Sequence, residues 1–291
     1  KKKRYVKVKW KGIDAFRVLD RQCDKQGTVL IEGETGEGKT FTIEQWAAAK
    51  GKPVIKVSGN AGANPDKYLG YDIIQNGSVD PQLGLIPQAL LRGDCVILLD
   101  ELGFFPPEML TPLYPVLDGS RLLTLEFGGG ISIPVPDDVL ISATNNPGYE
   151  GVFAENHALR RRFTFREHHE LPDSVIKRLI TQPSVRSFAK DLRTSFKNEK
   201  IGQWLPLPTV LEFVEFAKDF GVDFAVDNLI TLYVDESDRA VARQAFKTVE
   251  ANLKDDFRVV EEATTEEPTV TETSEGEEPE EEAAEVAFDG L

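Results

Sequence analysis

The sequence predicts an α/β fold, a parallel sheet covered by helices, followed by a small all-helical domain and a disordered acidic tail. Three observations predict it. Short apolar strands alternate with helical stretches up to about residue 170, helical periodicity alone follows to about residue 256, and the remainder is rich in Glu, Thr and Pro. With 291 residues, 41% of them hydrophobic, the chain can fill one or two globular domains.

The elements follow in order. Residues 1–11 are basic and alternate, with Val6, Val8 and Trp10 on one face and Lys7 and Lys9 on the other. That pattern fits an edge strand guarded by lysines or a solvated basic arm. Residues 28–31 form a first apolar strand, 38–50 a helix, 53–57 a second strand and 95–99 a third. Between them, residues 60–94 are rich in Gly, Asn and Asp and read as an insertion. A helix over 106–117 has proline near its first turn. A hairpin over 122–134 surrounds three glycines, a fourth strand covers 139–143, and a short fifth covers 163–165. Leu211, Phe213, Val214, Phe216 and Ala217 repeat with helical period, as do Ala240, Val241, Ala245, Phe246 and Val249. The domain division is 1–11 arm, 12–170 α/β domain, 171–256 helical domain and 257–291 tail.

Charge separates the tail from the body. The net charge is −15, yet residues 261–291 hold 13 acidic groups and no basic one, so the body is nearly neutral. A near-neutral body argues against a dedicated nucleic-acid binder, although the lysine arm keeps that reading open. No apolar run approaches the ~18 residues of a membrane span. Two cysteines, Cys23 and Cys95, cannot build a disulfide framework, which points to a reducing, cytoplasmic setting. His157, His168 and His169 suggest no metal site, and His168 and His169 read as surface residues.

The chemistry concentrates in four segments. Gly33-Glu34-Thr35-Gly36-Glu37-Gly38-Lys39-Thr40 fits G-x-x-x-x-G-K-[ST] between a strand and a helix. Its glycines let backbone N–H groups turn toward phosphate oxygens, at a helix N-terminus that favours anions. Lys39 supplies a charge for the β- and γ-phosphates, and Thr40 a hydroxyl for magnesium. The strand ending at Asp100-Glu101 supplies two carboxylates at the sheet edge where α/β folds bind ligands. Asp100 would support magnesium, and Glu101 would orient or deprotonate the attacking water. Asn145 and Asn146, at the end of the fourth strand, offer an amide to the γ-phosphate or the water. Arg160-Arg161-Arg162 precede the fifth strand and could stabilise charge on a neighbouring subunit's phosphate.

In this order and spacing, the four segments resemble the AAA+ superfamily of P-loop NTPases, and within it the MoxR-type, dynein-related branch. The resemblance covers about residues 12–254. It implies ATP hydrolysis with Mg2+, GTP being the alternative nucleotide. Walker A corresponds to Gly33 through Thr40, Walker B to Asp100 and Glu101, sensor 1 to Asn145 or Asn146, and the arginine finger to Arg161 or Arg162. An Asn directly before Pro147 favours Asn146, and the Arg-Phe pair at 162–163 favours Arg162.

Asn146-Pro147-Gly148-Tyr149 and the stretch 233–238 resemble the CbbQ/NirQ/NorQ group. Its members are chaperones that remodel a metabolic enzyme, with a partner carrying a von Willebrand factor A domain. Residues 159–163 resemble instead the McrB group of GTP-driven DNA-restriction motors. The resemblance implies a homo-oligomeric ring, a hexamer, with nucleotide between the α/β domain and a helical lid. A sensor 2 arginine is missing where the family places one, Val210 standing there. The insertion 60–94 and hairpin 122–134 are expected to face substrate, with Tyr68 or Tyr71 in contact or packed locally. The tail, tipped by Phe288 and Leu291, is expected to dock on a partner or simply to solubilise.

Overall fold

The computed structural model describes residues 6–60, 62, 64–146 and 157–264. Its elements begin with β1 (Lys9–Trp10), β2 (Ile13–Asp14), α1 (Ala15–Asp24), β3 (Thr28–Glu32), α2 (Lys39–Lys50) and β4 (Val54–Ser58). Next come α3 (Pro65–Tyr68), β5 (Gly70–Gln75), β6 (Ser78–Leu83), α4 (Leu85–Arg92), β7 (Val96–Asp100), α5 (Pro107–Leu110) and α6 (Tyr114–Leu117). Then follow β8 (Leu122–Leu125), β9 (Ile131–Pro134), β10 (Leu140–Asn145), α7 (His157–Arg162) and β11 (Phe165–His168). The chain continues through α8 (Asp173–Leu179), α9 (Pro183–Lys197), α10 (Leu207–Phe220), α11 (Val222–Ile230) and α12 (Glu236–Thr264).

Five strands form one parallel sheet in the order β11-β3-β10-β7-β4. β3 and β7 are buried along their whole length, as central strands covered on both faces must be. Alternate residues feed two cores. Leu30, Ile97, Leu99, Ile141 and Ala143 face one way, toward α4 and the segment 102–117. Val29, Ile31, Val96, Leu98 and Leu140 face the other, toward α1 and α2. A third apolar core holds α9 through α12 together. α8 straddles the two domains: Val175 belongs to the α1–α2 core, while Ile176 packs on the helical one.

Several expectations need correction. Among the described residues, the basic arm pairs only with β2, in a two-residue antiparallel ladder, and joins no edge of the main sheet. It is anchored all the same, because Val8 and Trp10 are buried while Lys7 and Lys9 are exposed. The expected helix at 106–117 is broken into α5, a 3-10 turn over 111–113 and α6, because Pro112 and Pro115 lack the N–H that a continuous helix needs. The stretch 60–94 is not all insertion. Only the β5–β6 hairpin forms a sheet of its own, whereas Tyr68 of α3 and Ile86, Ala89 and Leu90 of α4 lie in the core. The fifth strand starts at Phe165 rather than Phe163. Thr164 and Thr28 first exchange side-chain hydrogen bonds of 2.8–3.1 Å, which take the place of ladder bonds there. Finally, α12 runs to Thr264, so the tail's first eight residues, 257–264, are helical; residues 265–291 lie outside the described residues.

Candidate active site

The loop between β3 and α2 is shaped by glycines at both ends. Gly33 has φ 148°, and a Cβ there would come within 2.3 Å of the His169 carbonyl oxygen. Gly36 has φ 79°, and its Cβ would meet Pro206 at 2.7 Å. Side chains are excluded at both places, so the backbone can pass under its neighbours. The loop delivers Lys39 to the first turn of α2, where it is 7% exposed. Its Nζ donates to the Gly33 carbonyl at 2.8 Å, the Glu34 carbonyl at 2.7 Å and Asn146 Oδ1 at 2.6 Å. Burial pushes the Lys39 pKa down to about 8, against the raising influence of Glu37, Glu34, Asp100 and Glu101. The ammonium thus sits ready to exchange carbonyl partners for anionic oxygens.

β7 ends beside α2. Asp100 Oδ1 accepts from Thr40 Oγ1 at 2.6 Å and from Thr144 Oγ1, and Oδ2 lies 2.5 Å from Lys56 Nζ. Lys56 pairs with Leu98 in the ladder, so its side chain shares a sheet face with Asp100 two residues on. Burial works to raise the Asp100 pKa, but the hydrogen bonds from Lys56, Thr144 and Thr40 outweigh it and hold the carboxyl below its usual range. The juxtaposed Thr40 hydroxyl and Asp100 carboxylate are hard oxygen donors. They fit magnesium, which keeps several waters and takes few protein ligands besides phosphate.

The residue after Asp100 is set apart from it by the backbone. Glu101 adopts a left-handed φ of 59°, uncommon for a non-glycine residue, and its side chain is exposed. Its N–H donates to Thr144 Oγ1 at 3.1 Å, and Gly59 N–H donates to the Asp100 carbonyl at 2.8 Å. The two asparagines part company here. Asn145 Oδ1 accepts from Gly103 N–H at 3.0 Å and braces the turn after Glu101, while Asn146 Oδ1 meets Lys39. Pro147, Gly148 and Tyr149 lie outside the described residues. Of the remaining loop residues, Thr35 is exposed, and Glu37 is buried and turned toward the helical domain.

The arginines stand differently. Arg160 Nη2 lies 2.6 Å from Glu32 Oε2. Arg162 stacks its guanidinium 4.7 Å over the Tyr114 ring, donates to the Ala158 carbonyl and lies 3.8 Å from Asp118. Arg161 is exposed, with no hydrogen bond or ion pair to any described residue. Neither Arg161 nor Arg162 is bonded to Lys39, Thr40, Asp100 or Asn146.

Three side chains important to the site carry no motif. His169 is 2% exposed, which corrects the surface assignment; His168 is exposed as expected. Trp10 Nε1 donates to His169 Nδ1 at 3.1 Å, so the ring proton sits on Nε2, which donates to the Glu37 carbonyl at 2.9 Å. Burial lowers the His169 pKa, and nearby Lys39 adds to that. The available signal was parity: residues 165, 167 and 169 alternate inward, and Glu167 and His169 are both buried. Lys56 is the second. Arg193 of α9 is the third, its Nη2 lying 3.1 Å from Glu37 Oε1. Val210 is buried in the helical core, so the residue at the expected sensor 2 position points inward. Tyr68 is also buried in the core and cannot reach a partner, whereas Tyr71 on β5 is 46% exposed.

Comparison with known proteins follows this geometry. Residues 28–163 match the model of the AAA domain (dynein-related subfamily). An uncharacterized protein of Staphylococcus haemolyticus is 30% identical over 190 residues, covering 60% of this chain and 72% of that protein. An uncharacterized protein of Staphylococcus aureus strain USA300 is 27% identical over 195 residues, covering 62% and 73%. Among solved structures, NtrX from Brucella abortus in complex with ADP is 17% identical with a TM-score of 0.42, covering 76% of this chain and 49% of that one.

Proposed function

The chain belongs to the family of AAA domains, dynein-related subfamily, and we propose that it hydrolyses ATP with magnesium as a ring-forming machine that remodels a partner protein. One observation carries the catalytic part. Lys39–Asn146 at 2.6 Å and Thr40–Asp100 at 2.6 Å gather three distant segments into one cluster at the C-terminal edge of the sheet. In use, Lys39 leaves the loop carbonyls for the phosphate oxygens, which also releases the Asn146 amide to orient the γ-phosphate or the water. Thr40 and Asp100 hold the metal site, with Lys56 and Thr144 keeping Asp100 ionised. Bound magnesium would neutralise charge on the phosphate oxygens. Glu101, projecting from its left-handed backbone position, takes or orients the proton of the attacking water.

Asn146 is the sensor, and Asn145 holds the turn that presents Glu101. Arg161 is the finger offered to a neighbouring subunit, because Arg162 is already committed to Tyr114 and Asp118. A trans arginine requires an oligomer, and a hexameric ring of the MoxR type, nearest the CbbQ/NirQ/NorQ group, is the assembly proposed. The remodelling role is supported by the β5–β6 hairpin, which exposes Tyr71, Ile74 and Val79, with Ile74 78% exposed. Such an apolar tip suits a protein surface, including a partner with a von Willebrand factor A domain, better than a nucleic-acid backbone.

The test is phosphate release from ATP and GTP across a protein concentration series, beside Glu101→Gln. ATP turnover per chain that climbs with concentration and is lost in the variant is the expected result. Turnover confined to GTP and stimulated by DNA would replace the remodelling role with that of a nucleic-acid motor. Absence of turnover with ATP and GTP alike would overturn hydrolysis.

A further inference from the structure

The helical domain touches the phosphate loop through a buried ion pair that no motif announces. Arg193 projects from α9 with its side chain 14% exposed, and Glu37, in the middle of the loop, has its side chain 4% exposed. The arginine is fixed on its own side. Its guanidinium stacks 4.8 Å over the Trp204 ring, and its Nε donates to the Leu205 carbonyl at 3.1 Å. The next residues of that segment, Pro206 and Pro208, lie against Gly36. Glu37 is fixed on the other side: its Oε2 accepts from Leu171 N–H at 3.0 Å, and its carbonyl accepts from His169. Nη2 and Oε1 stand 3.1 Å apart yet make no aligned hydrogen bond. The attraction is therefore mainly electrostatic, and it tolerates small rotations of one domain on the other.

We propose that Arg193 is a positioning residue that couples the setting of the helical domain to the phosphate loop through Glu37. The inference rests on the nucleotide-binding reading above and adds its regulation. A buried carboxylate inside a phosphate-binding loop repels a polyphosphate unless a cation neutralises it. Arg193 supplies that cation only while α9 lies against the loop. An arriving nucleotide therefore favours the closed setting, and the closed setting favours the nucleotide, the two effects being thermodynamically reciprocal. This arrangement gives the lid a charge-based link to the nucleotide although no arginine stands at position 210.

Three forms of the full chain test it: wild type, Arg193→Gln, and Arg193→Gln combined with Glu37→Gln. Affinity for ADP with magnesium is read by titration. Lid position is read as the distance between spin labels at Lys25→Cys and Glu212→Cys, both exposed sites, in a Cys23→Ser background. Arg193→Gln should weaken ADP by about tenfold or more, because Glu37 is left unneutralised. The double variant should recover at least about threefold of the affinity lost in the single one, since the repulsion is gone. ADP should narrow the lid distance in wild type and leave that of the double variant unchanged; a wild type that binds ADP without narrowing would overturn the coupling. Should Arg193→Gln fail to fold, the uncharged pair still decides the matter through its lid distance. A double variant that narrows like wild type would overturn the coupling. So would a double variant as weak as the single one, because Arg193 would then act on nucleotide without Glu37. Wild type that binds no nucleotide would instead overturn the functional reading on which the coupling rests.

Discussion

The two ends of the proposed catalytic machinery are built on different terms. At the phosphate end, Lys39, Thr40, Asp100 and Asn146 satisfy one another within a single chain, each held by strand ends and a helix start. At the arginine end, Arg160 and Arg162 are tied to Glu32, Asp118 and Tyr114, and Arg161 faces outward with no described partner. The difference teaches that burial and mutual bonding make one half of a site self-sufficient. An exposed, uncommitted cation costs little to hold and gains its worth from a surface brought to it.

The comparison can be broken or sharpened by substitution. The largest effect is expected at the phosphate end, where Glu101→Gln should lower turnover by about 10³-fold with ADP affinity nearly unchanged, as single-turnover and titration experiments would show. At the other end, Arg161→Ala should lower turnover by about 10²-fold, again sparing affinity. Arg162→Ala should instead lower the melting temperature, by loss of its stack on Tyr114. Equal kinetic effects from both arginines would erase the distinction drawn between them.

Smaller effects probe the buried cluster itself. Lys39 must be charged to hold phosphate, and its pKa in the free protein is about 8. Above that pH, binding must draw a proton from solution, so affinity should fall by up to about tenfold per pH unit. Calorimetry in buffers of differing ionisation heat would detect the uptake. The smallest effect concerns His169. Burial lowers its folded-state pKa, so as pH falls the unfolded chain takes the proton first. Stability is therefore full above the ordinary histidine value and declines as pH drops toward the folded-state value. His169→Gln should flatten that decline in denaturant unfolding compared at pH 7.5 and pH 5.

What could be read from sequence follows the same division. β3 and β7 were legible because central parallel strands are continuous apolar runs, and the 33–40 loop because its residues are contiguous. Lys56, His169 and Arg193 were not, since each takes its role from a contact with a distant segment: Asp100, the Glu37 carbonyl and the Glu37 carboxylate. Parity along β11 pointed inward at 169, yet a polar residue there reads as solvent-facing until its partners Trp10 and Glu37 are known. α4 was hidden for another reason. Its four buried residues, Ile86, Pro87, Ala89 and Leu90, span barely more than one turn, too short a window for helical period to stand out from the glycines before it.

The central claim is that one chain's phosphate cluster is completed by another chain's arginine. Mixing Lys39→Ala chains with Arg161→Ala chains tests it most directly, each preparation being nearly inactive alone. In a randomly mixed ring, about a quarter of the sites would pair an intact loop with an intact arginine. The account predicts ATP turnover recovering toward that fraction of wild type on mixing. A mixture no more active than its components would contradict it.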